Sequence, residues 1–328
     1  MKTGMIEKIF EQAYLGHVNK LQELIKSGVD VNLTNKYYST PLMWAALGRR
    51  ANSIRLLLDL GADQNAQDYH GETSLFMLEE FLDSVSKFLC IDILKEAMSK
   101  TQEGINNQLI SSANIGDLES IKKLIGQGAD VNFQTNCGFT ALIYAVVKGH
   151  IDSVEYLIKA GADVNLPVND GRTPLMFTWS SDYQKVVDLL LTAGADIHIK
   201  SAEGFTAITQ NVMRADTVKK LIDRGGLVNE PSKCGWTALM EAVSDGFVDT
   251  VELLIKSGAN LNLQYEDGRT ALMVAAGYDR YKVLKILLSA GADPSIKNNE
   301  GETALDIAKK ENAKKCIRLL SQASPNKK

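Results

Sequence analysis

Four histidines and four cysteines are the residues of this chain best suited to chemistry. His17, His70, His150 and His198 could serve as general bases or metal ligands. Cys90, Cys137, Cys234 and Cys316 could serve as nucleophiles or thiolate ligands. Their spacing argues against both uses. No histidine has a Cys, Asp or Glu partner at metal-ligand spacing, and the cysteines form no CxxC pair. His17 and His150 each follow a glycine in a recurring sequence context, which gives them a structural role. No G-x-G-x-x-G follows a strand pattern, and Walker A and G-x-S-x-G sequences are missing. Cys137 and Cys234 fall at turn tips, where exposed thiols are expected; Cys90 and Cys316 fall on helices and should be buried and unpaired. The expectation is a chain without catalytic residues, metal or cofactor, and not an enzyme.

Composition narrows the partners. Forty acidic and 36 basic residues give a net charge of −4, whereas polyanion binders carry a basic excess, so nucleic acid is not expected. The N-terminal "MKTGMIEKIFEQAYLG" has no apolar run of signal-peptide length, and no stretch approaches eighteen apolar residues. Scattered, unpaired cysteines fit a reducing compartment. The expected location is the cytoplasm, without a membrane span; non-classical secretion would leave no trace in such a sequence.

The elements that must position any site are repeats. "GHIDSVEYLIKAGADVN" at 149–165 has near copies at 16–32, 116–132 and 246–262. Asn32 to Asn65, Asn132 to Asn165, Asn165 to His198, Asn229 to Asn262 and Asn262 to Ser295 are each 33 residues apart. A fixed period of this size marks a repeat array. Thr140 and Thr173 stand at N-cap positions, where a hydroxyl can take an orphan N–H. Pro41 and Pro174 follow such threonines at the first helical position, which needs no N–H. Small residues such as Ala45, Ala46, Ala275 and Ala276 let this short first helix pack closely. Gly149 and Gly246 suit a left-handed cap at its end. A second helix carries Val154, Leu157 and Ile158, or Val251, Leu254 and Ile255, at 3–4 spacing. Gly161, Gly194, Gly258 and Gly291 end it, and a turn such as "NDG" (169–171) or "EDG" (266–268) follows. Neither helix can bury its apolar face alone, so stacking on neighbours makes the core.

These residues, G-x-T-P-L-x-x-A-A, G-H, V-x-x-L-[LI] and G-A-D-V-N, resemble the ankyrin repeat over roughly residues 5–320. The resemblance implies an all-α solenoid of stacked helix pairs with β-turn fingers. About ten units can be counted: 5–32, 33–65, 66–99, 100–132, 133–165, 166–198, 199–229, 230–262, 263–295 and 296–320. At an interhelical spacing of roughly 8–10 Å such a stack would be on the order of 90 Å long. Met43, Met176, Met240 and Met273, with Ile143, occupy the place of the histidine familiar after T-P-L, so apolar packing is expected there.

Three departures stand out. Residues 79–106 keep helical periodicity but lose the G-A-D-V-N close, and no finger precedes 105–132. The segments 5–32 and 105–132 align without a gap, with Ala13/Ala113, Gly16/Gly116, Leu24/Leu124, Ile25/Ile125, Gly28/Gly128, Asp30/Asp130, Val31/Val131 and Asn32/Asn132 identical. A cap-like unit therefore recurs in mid-chain, and 79–106 is either a functional seam or a decayed repeat. The expected organisation is an N-terminal block over 1–100 with an irregular third repeat at 66–99, a C-terminal block over 101–320, and a frayed tail at 321–328. Next, 199–229 is two residues short, at the turn between its helices. Finally, Trp179 occupies a normally small position.

In the ankyrin family, fingers and first helices line a concave groove. Carried over by motif position, the groove slots here hold Tyr37, Trp44, Tyr69, Phe139, Tyr144, Phe177, Phe205, Trp236 and Tyr265. Aromatics are only 7% of the chain, so their concentration at these slots points to partner binding; packing between repeats is the alternative. Later fingers carry Glu203, Glu266, Asp267, Glu300 and Glu302 against Lys233 and Arg269, which would suit a basic segment of a partner or simply form a solvated acidic face. The function expected is a monomeric protein-interaction scaffold or regulator. Its partner could be a host protein met by a delivered effector, an endogenous enzyme, or a structural assembly. The alternative is a small-ligand or nucleotide sensor that stacks a base on groove aromatics, for which Lys36, Arg172, Lys233 and Arg269 are the candidate phosphate ligands.

Overall fold

The computed structural model describes residues 3–80, 85–99, 101–178 and 183–323. Trp179 and the tail from residue 324 lie outside the described residues, as do 81–84 and 100 within the irregular segment. The chain divides into two compact units, Met1–Asn169 and Asp170–Lys328. Among the described residues both are helical and neither contains a strand. No described helix is long and apolar enough to cross a membrane.

Among its described residues the first unit holds ten helices: α1 Thr3–Leu15, α2 Val18–Lys26, α3 Pro41–Leu47, α4 Ala51–Asp59, α5 Ser74–Glu80, α6 Val85–Met98, α7 Gln102–Ile115, α8 Leu118–Gly126, α9 Ala141–Lys148 and α10 Ile151–Lys159. The second opens with a single 3-10 turn, Pro174–Phe177, followed by α11 Gln184–Thr192, α12 Ala207–Gln210, α13 Ala215–Asp223, α14 Ala238–Asp245, α15 Val248–Lys256, α16 Ala271–Gly277, α17 Tyr281–Ser289, α18 Ala304–Lys310 and α19 Lys314–Ala323. Within the first unit the first helices pack in series, α1 on α3, α3 on α5, α5 on α7 and α7 on α9. Within the second unit α12, α14, α16 and α18 do the same. Second helices form a parallel row, α2, α4 and α6 in the first unit and α11, α13, α15, α17 and α19 in the second. The apolar core is shared between repeats: Ile9, Leu21, Leu42, Leu57, Leu75 and Leu94 belong to one cluster and are all at most 1% exposed.

Each repeat is closed by local chemistry. Thr140 Oγ1 accepts from the Ile143 amide at 3.2 Å, and Thr237 Oγ1 from Met240 at 3.3 Å. Thr173 departs from its expected capping role. The 3-10 turn after it closes through Met176 N–H to the Thr173 carbonyl at 2.9 Å, and the Thr173 hydroxyl is buried without a hydrogen-bond partner. Gly149 and Gly246 end their helices at φ 75° and 80°, a backbone state that costs glycine nothing. The methionines at the histidine slot are buried, and Met43 does more than pack: the Thr40 amide donates to its sulfur at 3.3 Å.

Repeats are clipped to one another by side chains of fixed register. Asn32 donates to the Gly61 carbonyl at 3.1 Å and accepts from the Asp63 amide at 2.7 Å. Asn132 repeats this with Gly161 and Asp163, and Asn229 with Gly258 and Asn260. These bonds explain the periodic asparagine: it satisfies the orphan carbonyl at the end of the next repeat's second helix. In the slot after the cap glycine, His150 Nε2 bonds the Asn114 carbonyl at 2.9 Å, and Arg50 and Arg280 reach Tyr14 and Ser244 carbonyls in the same way. His150 is thereby structural, as its G-H context indicates. His17 instead bonds Gln12 at 2.8 Å.

The short repeat resolves by truncating its first helix. α12 is one turn long, and Asn211 follows it, wholly buried. Its amide donates to the Leu175 and Ala207 carbonyls, and its oxygen accepts from Thr178 Oγ1 at 3.1 Å. One side chain thus does the work of the missing helical turn.

Candidate interaction surface

The fingers are built from turns closed by a short polar side chain. Asn35 Oδ1 accepts from the Tyr37 and Ser39 amides, Asp68 Oδ1 from His70 and Glu72, and Asn298 Oδ1 from Glu300 and Glu302. Ser201, Ser232 and Thr135 hydroxyls do the same for Phe205, Trp236 and Phe139. Backbone bonds then join successive fingers: Tyr69 N–H to the Tyr37 carbonyl, Lys233 to Glu203, Glu266 to Cys234 and Asn299 to Asp267. The aromatic at each finger is therefore held on a fixed backbone.

The irregular segment leaves one finger out. Only three residues separate Met98 of α6 from Gln102 of α7, and the finger at 68–72 meets the finger at 135–139 directly. The Asn136 amide donates to Gln67 Oε1 at 2.6 Å, and Cys137 Sγ–H to the Tyr69 carbonyl at 3.1 Å. In place of the periodic asparagine, two residues of α7 make the clip: Gln102 donates to the Gly128 carbonyl at 2.9 Å, and Asn106 accepts from the Asp130 amide at 2.8 Å.

The nine groove aromatics divide by exposure. Tyr37 and Tyr69 are 58% and 65% exposed, and Lys36 lies over the Tyr37 ring at 4.8 Å. Trp44, Phe139, Phe205, Trp236 and Tyr265 are half-buried. Tyr144 and Phe177 are buried, 8% and 3% exposed, and offer little surface to any partner. Tyr144 packs against Phe76 and Phe139, with ring centroids 5.0 and 5.2 Å apart. Trp44 packs against Phe10 and Tyr14, and its indole N–H is buried with no acceptor. Trp236 and Tyr265 meet edge to face at 4.8 Å. The Trp236 indole donates to Glu241 Oε2 at 2.6 Å, and the Tyr265 hydroxyl to Asp267 at 2.8 Å. Arg269 bonds the same Asp267 oxygen at 2.6 Å and lies 5.4 Å from the Tyr265 ring centre.

Burial raises the Glu241 carboxyl above its ordinary value; the Trp236 hydrogen bond opposes this, and Asp245 adds to it. Burial also raises the Tyr265 phenol, as does its bond to Asp267. Of the thiols, Cys90 and Cys316 are buried on α6 and α19, and Cys137 and Cys234 are partly exposed in fingers. Burial, with Asp279 beside it, pushes Cys316 up to about 12, and burial also raises Cys90 and Cys137. Such shifts suppress the thiolate that a nucleophile needs. Among the described residues no group of His, Cys, Asp and Glu could hold a metal ion.

Two surface residues are not among the slots read from the sequence. Tyr38 is 60% exposed at φ 62°, where the corresponding residues of later fingers, Gly71 and Gly138, are glycines; a tyrosine at that finger position is visible once the fingers are aligned. Tyr278, 59% exposed at the end of α16, is close enough to interact electrostatically with Tyr265. Glu241 occupies the same first-helix slot as Tyr144 and Phe177 and was passed over because it is not aromatic.

Comparison with known protein families matches "Ankyrin repeats (3 copies)" over residues 9–95, 109–201 and 205–298. Residues of this chain are 44% identical over 57 positions to the ankyrin repeat, SAM and basic leucine zipper domain-containing protein 1 of Colobus guereza, covering 17% of this chain and 12% of that protein. An ankyrin repeat protein of Acanthamoeba polyphaga mimivirus is 29% identical over 138 residues, 41% of this chain and 20% of its own length. The chain thus spans only a small part of these curated relatives. Among solved structures, the ankyrin repeat domain of Bcl-3, a member of the IkappaB protein family, superposes with a TM-score of 0.56 at 27% identity, covering 65% of this chain and 97% of that one. With three family matches spread over most of its length, and with fingers, capped helix pairs and periodic asparagine clips in place, the chain belongs to the ankyrin repeat family.

Proposed function

We propose that this chain is a non-enzymatic scaffold or regulator that binds a partner protein through its fingers and first helices. Ankyrin repeats generally mediate protein–protein interaction. The observation that carries the reading for this chain is the accessible part of its aromatic series. Tyr37 and Tyr69 project from fingers that backbone bonds hold rigid, and Trp236 and Tyr265 form a half-exposed pair. Large rings on a fixed frame lose little freedom on binding, which is why they dominate interface energetics.

The nucleotide-sensor reading is less well supported. A stacked base needs a free ring face beside a free cation. Arg172 lies over Phe177 at 4.6 Å and is tied to Asp170, and Arg269 lies by Tyr265 and is tied to Asp267. At Phe177 and Tyr265 the chain's own arginines thus occupy the places a base and a phosphate would need.

The test is affinity capture with mass spectrometry to obtain the partner, followed by matched substitutions. Trp236→Ala is expected to lose about 2 kcal/mol or more of binding with a small change in melting temperature. Tyr144→Ala, at a buried ring, is expected to lose about 3–5 kcal/mol of stability. A partner that binds Tyr37, Tyr69, Trp236 and Tyr265 variants as tightly as the parent would overturn the proposal.

A further inference from the structure

We infer that the second unit carries a docking surface for an extended basic segment, centred on Trp236, Glu241 and Tyr265; this deepens the proposed function and rests on it. The site joins an aromatic wall to an excess of negative charge. Glu241 stands on the first-helix slot of its repeat, half-buried beside the Trp236 ring, and one of its carboxylate oxygens is engaged by the indole N–H. Asp245, exposed, lies one turn further along the same helix. Two acids at this spacing repel. Neither has an ion-pair partner among the described residues, nor do Glu203 and Glu266 on the flanking fingers.

Three bases nearby are paired with carboxylates, and two keep their charge. Arg269 is paired with Asp267, Arg172 with Asp170, and Lys310 with Glu302 and Glu300. Arg280 donates its Nε–H to the Ser244 carbonyl. Lys233, on the finger before Trp236, is the opposing charge. With Arg269 and Asp267 paired, the four acids Glu203, Glu241, Asp245 and Glu266 outnumber the two bases Lys233 and Arg280, which leaves the stretch negative. Rings are ordered along the same stretch: Trp236 on Tyr265 edge to face, with Tyr278 exposed beyond them. An aromatic face beside a carboxylate favours a Lys or Arg side chain, whose alkyl stem covers the ring while its charge meets the acid. Charge complementarity thus selects a basic occupant over a neutral or acidic one.

The experiment uses the full chain and fluorescence anisotropy with two labelled peptides, one alternating lysine and serine, the other alternating glutamate and serine. The lysine peptide is expected to bind and the glutamate peptide not, with affinity falling as salt rises. Glu241→Gln keeps an acceptor for the Trp236 indole and removes the charge; it is expected to weaken lysine-peptide binding about tenfold or more. Trp236→Ala is expected to weaken it similarly, while Glu23→Gln, an exposed acid on the outer row of the first unit, leaves it unchanged. Equal effects of Glu241→Gln and Glu23→Gln would show diffuse attraction and overturn the inference, as would binding of both peptides. If a captured protein partner is lost by Trp236→Ala but untouched by Glu241→Gln, the groove reading stands and the basic-segment inference falls. If that partner is indifferent to every groove aromatic, the groove reading itself falls.

Discussion

Residues 5–32 and 105–132 share one sequence pattern and meet different fates. α1 packs against α2 and α3, and Glu7, Lys8, Glu11 and Tyr14 on it are exposed. At the same positions α7 carries Asn107, Gln108, Ser111 and Asn114, all buried, because α7 packs against α5 and α6 as well as α9. Water solvates the charges of an exposed helix face at no cost. Between neighbours an ionised side chain would need a partner or would cost far more than a neutral polar group. The mid-chain copy therefore holds amides and hydroxyls. Several are bonded: Gln108 donates to the Lys95 carbonyl, and Asn107 joins Asn65 and Gln67. Ser111, Ser112 and the Asn114 side-chain oxygen have no hydrogen-bond partner. The same helix pattern can thus be carried between neighbours, provided its charges are removed, and some of its polar groups remain a net cost.

The largest test puts a charge back. Ser111→Glu should destabilise the protein by about 3 kcal/mol or more, whereas Glu11→Ser at the matching α1 site should stay within about 0.5 kcal/mol. Urea unfolding of the two variants measures both, and equal effects would break the contrast. A deletion to Thr101 comes next. The fragment keeps the N-cap bond from Gly104 to Thr101 Oγ1 at 3.0 Å and exposes a face of neutral polar residues rather than apolar ones. It should stay soluble and unfold cooperatively, with a lower melting temperature from the lost α5 and α6 contacts. An aggregated fragment would count against a block boundary near 100/101. The smallest effect is a gain: Ser112→Ala removes a buried unpaired hydroxyl and should stabilise by about 1 kcal/mol. Loss of stability on that change would mean that the hydroxyl is satisfied in solution.

Much of the fold was legible because the repeat is written in short-range signals. Threonine caps, left-handed glycines and the 33-residue asparagine each answer to a local backbone need, and most recur where the sequence places them. Thr173 is an exception, since a 3-10 turn took its hydrogen-bonding role. The aromatic slots were legible as positions, but their exposure was not. Tyr37 and Tyr144 are both tyrosines at groove slots, yet one is 58% exposed and the other 8%. Tyr144 has Phe76 and Phe139 against it, a contact set by how α5, the following finger and α9 converge. Glu241 shows the reverse, a residue the aromatic pattern omitted and the neighbouring Trp236 ring makes distinctive.

The sequence by itself determined the period, the family, the helix pairs and their caps, because these depend on contacts within a repeat or at a constant offset to the next. Only the tertiary structure decided that α7 is buried on both sides, that the fingers at 68–72 and 135–139 touch across a missing one, and which rings remain open to a partner. Those outcomes depend on what packs against a side chain from other repeats, and an irregular repeat changes that packing without changing the local pattern that forms each helix.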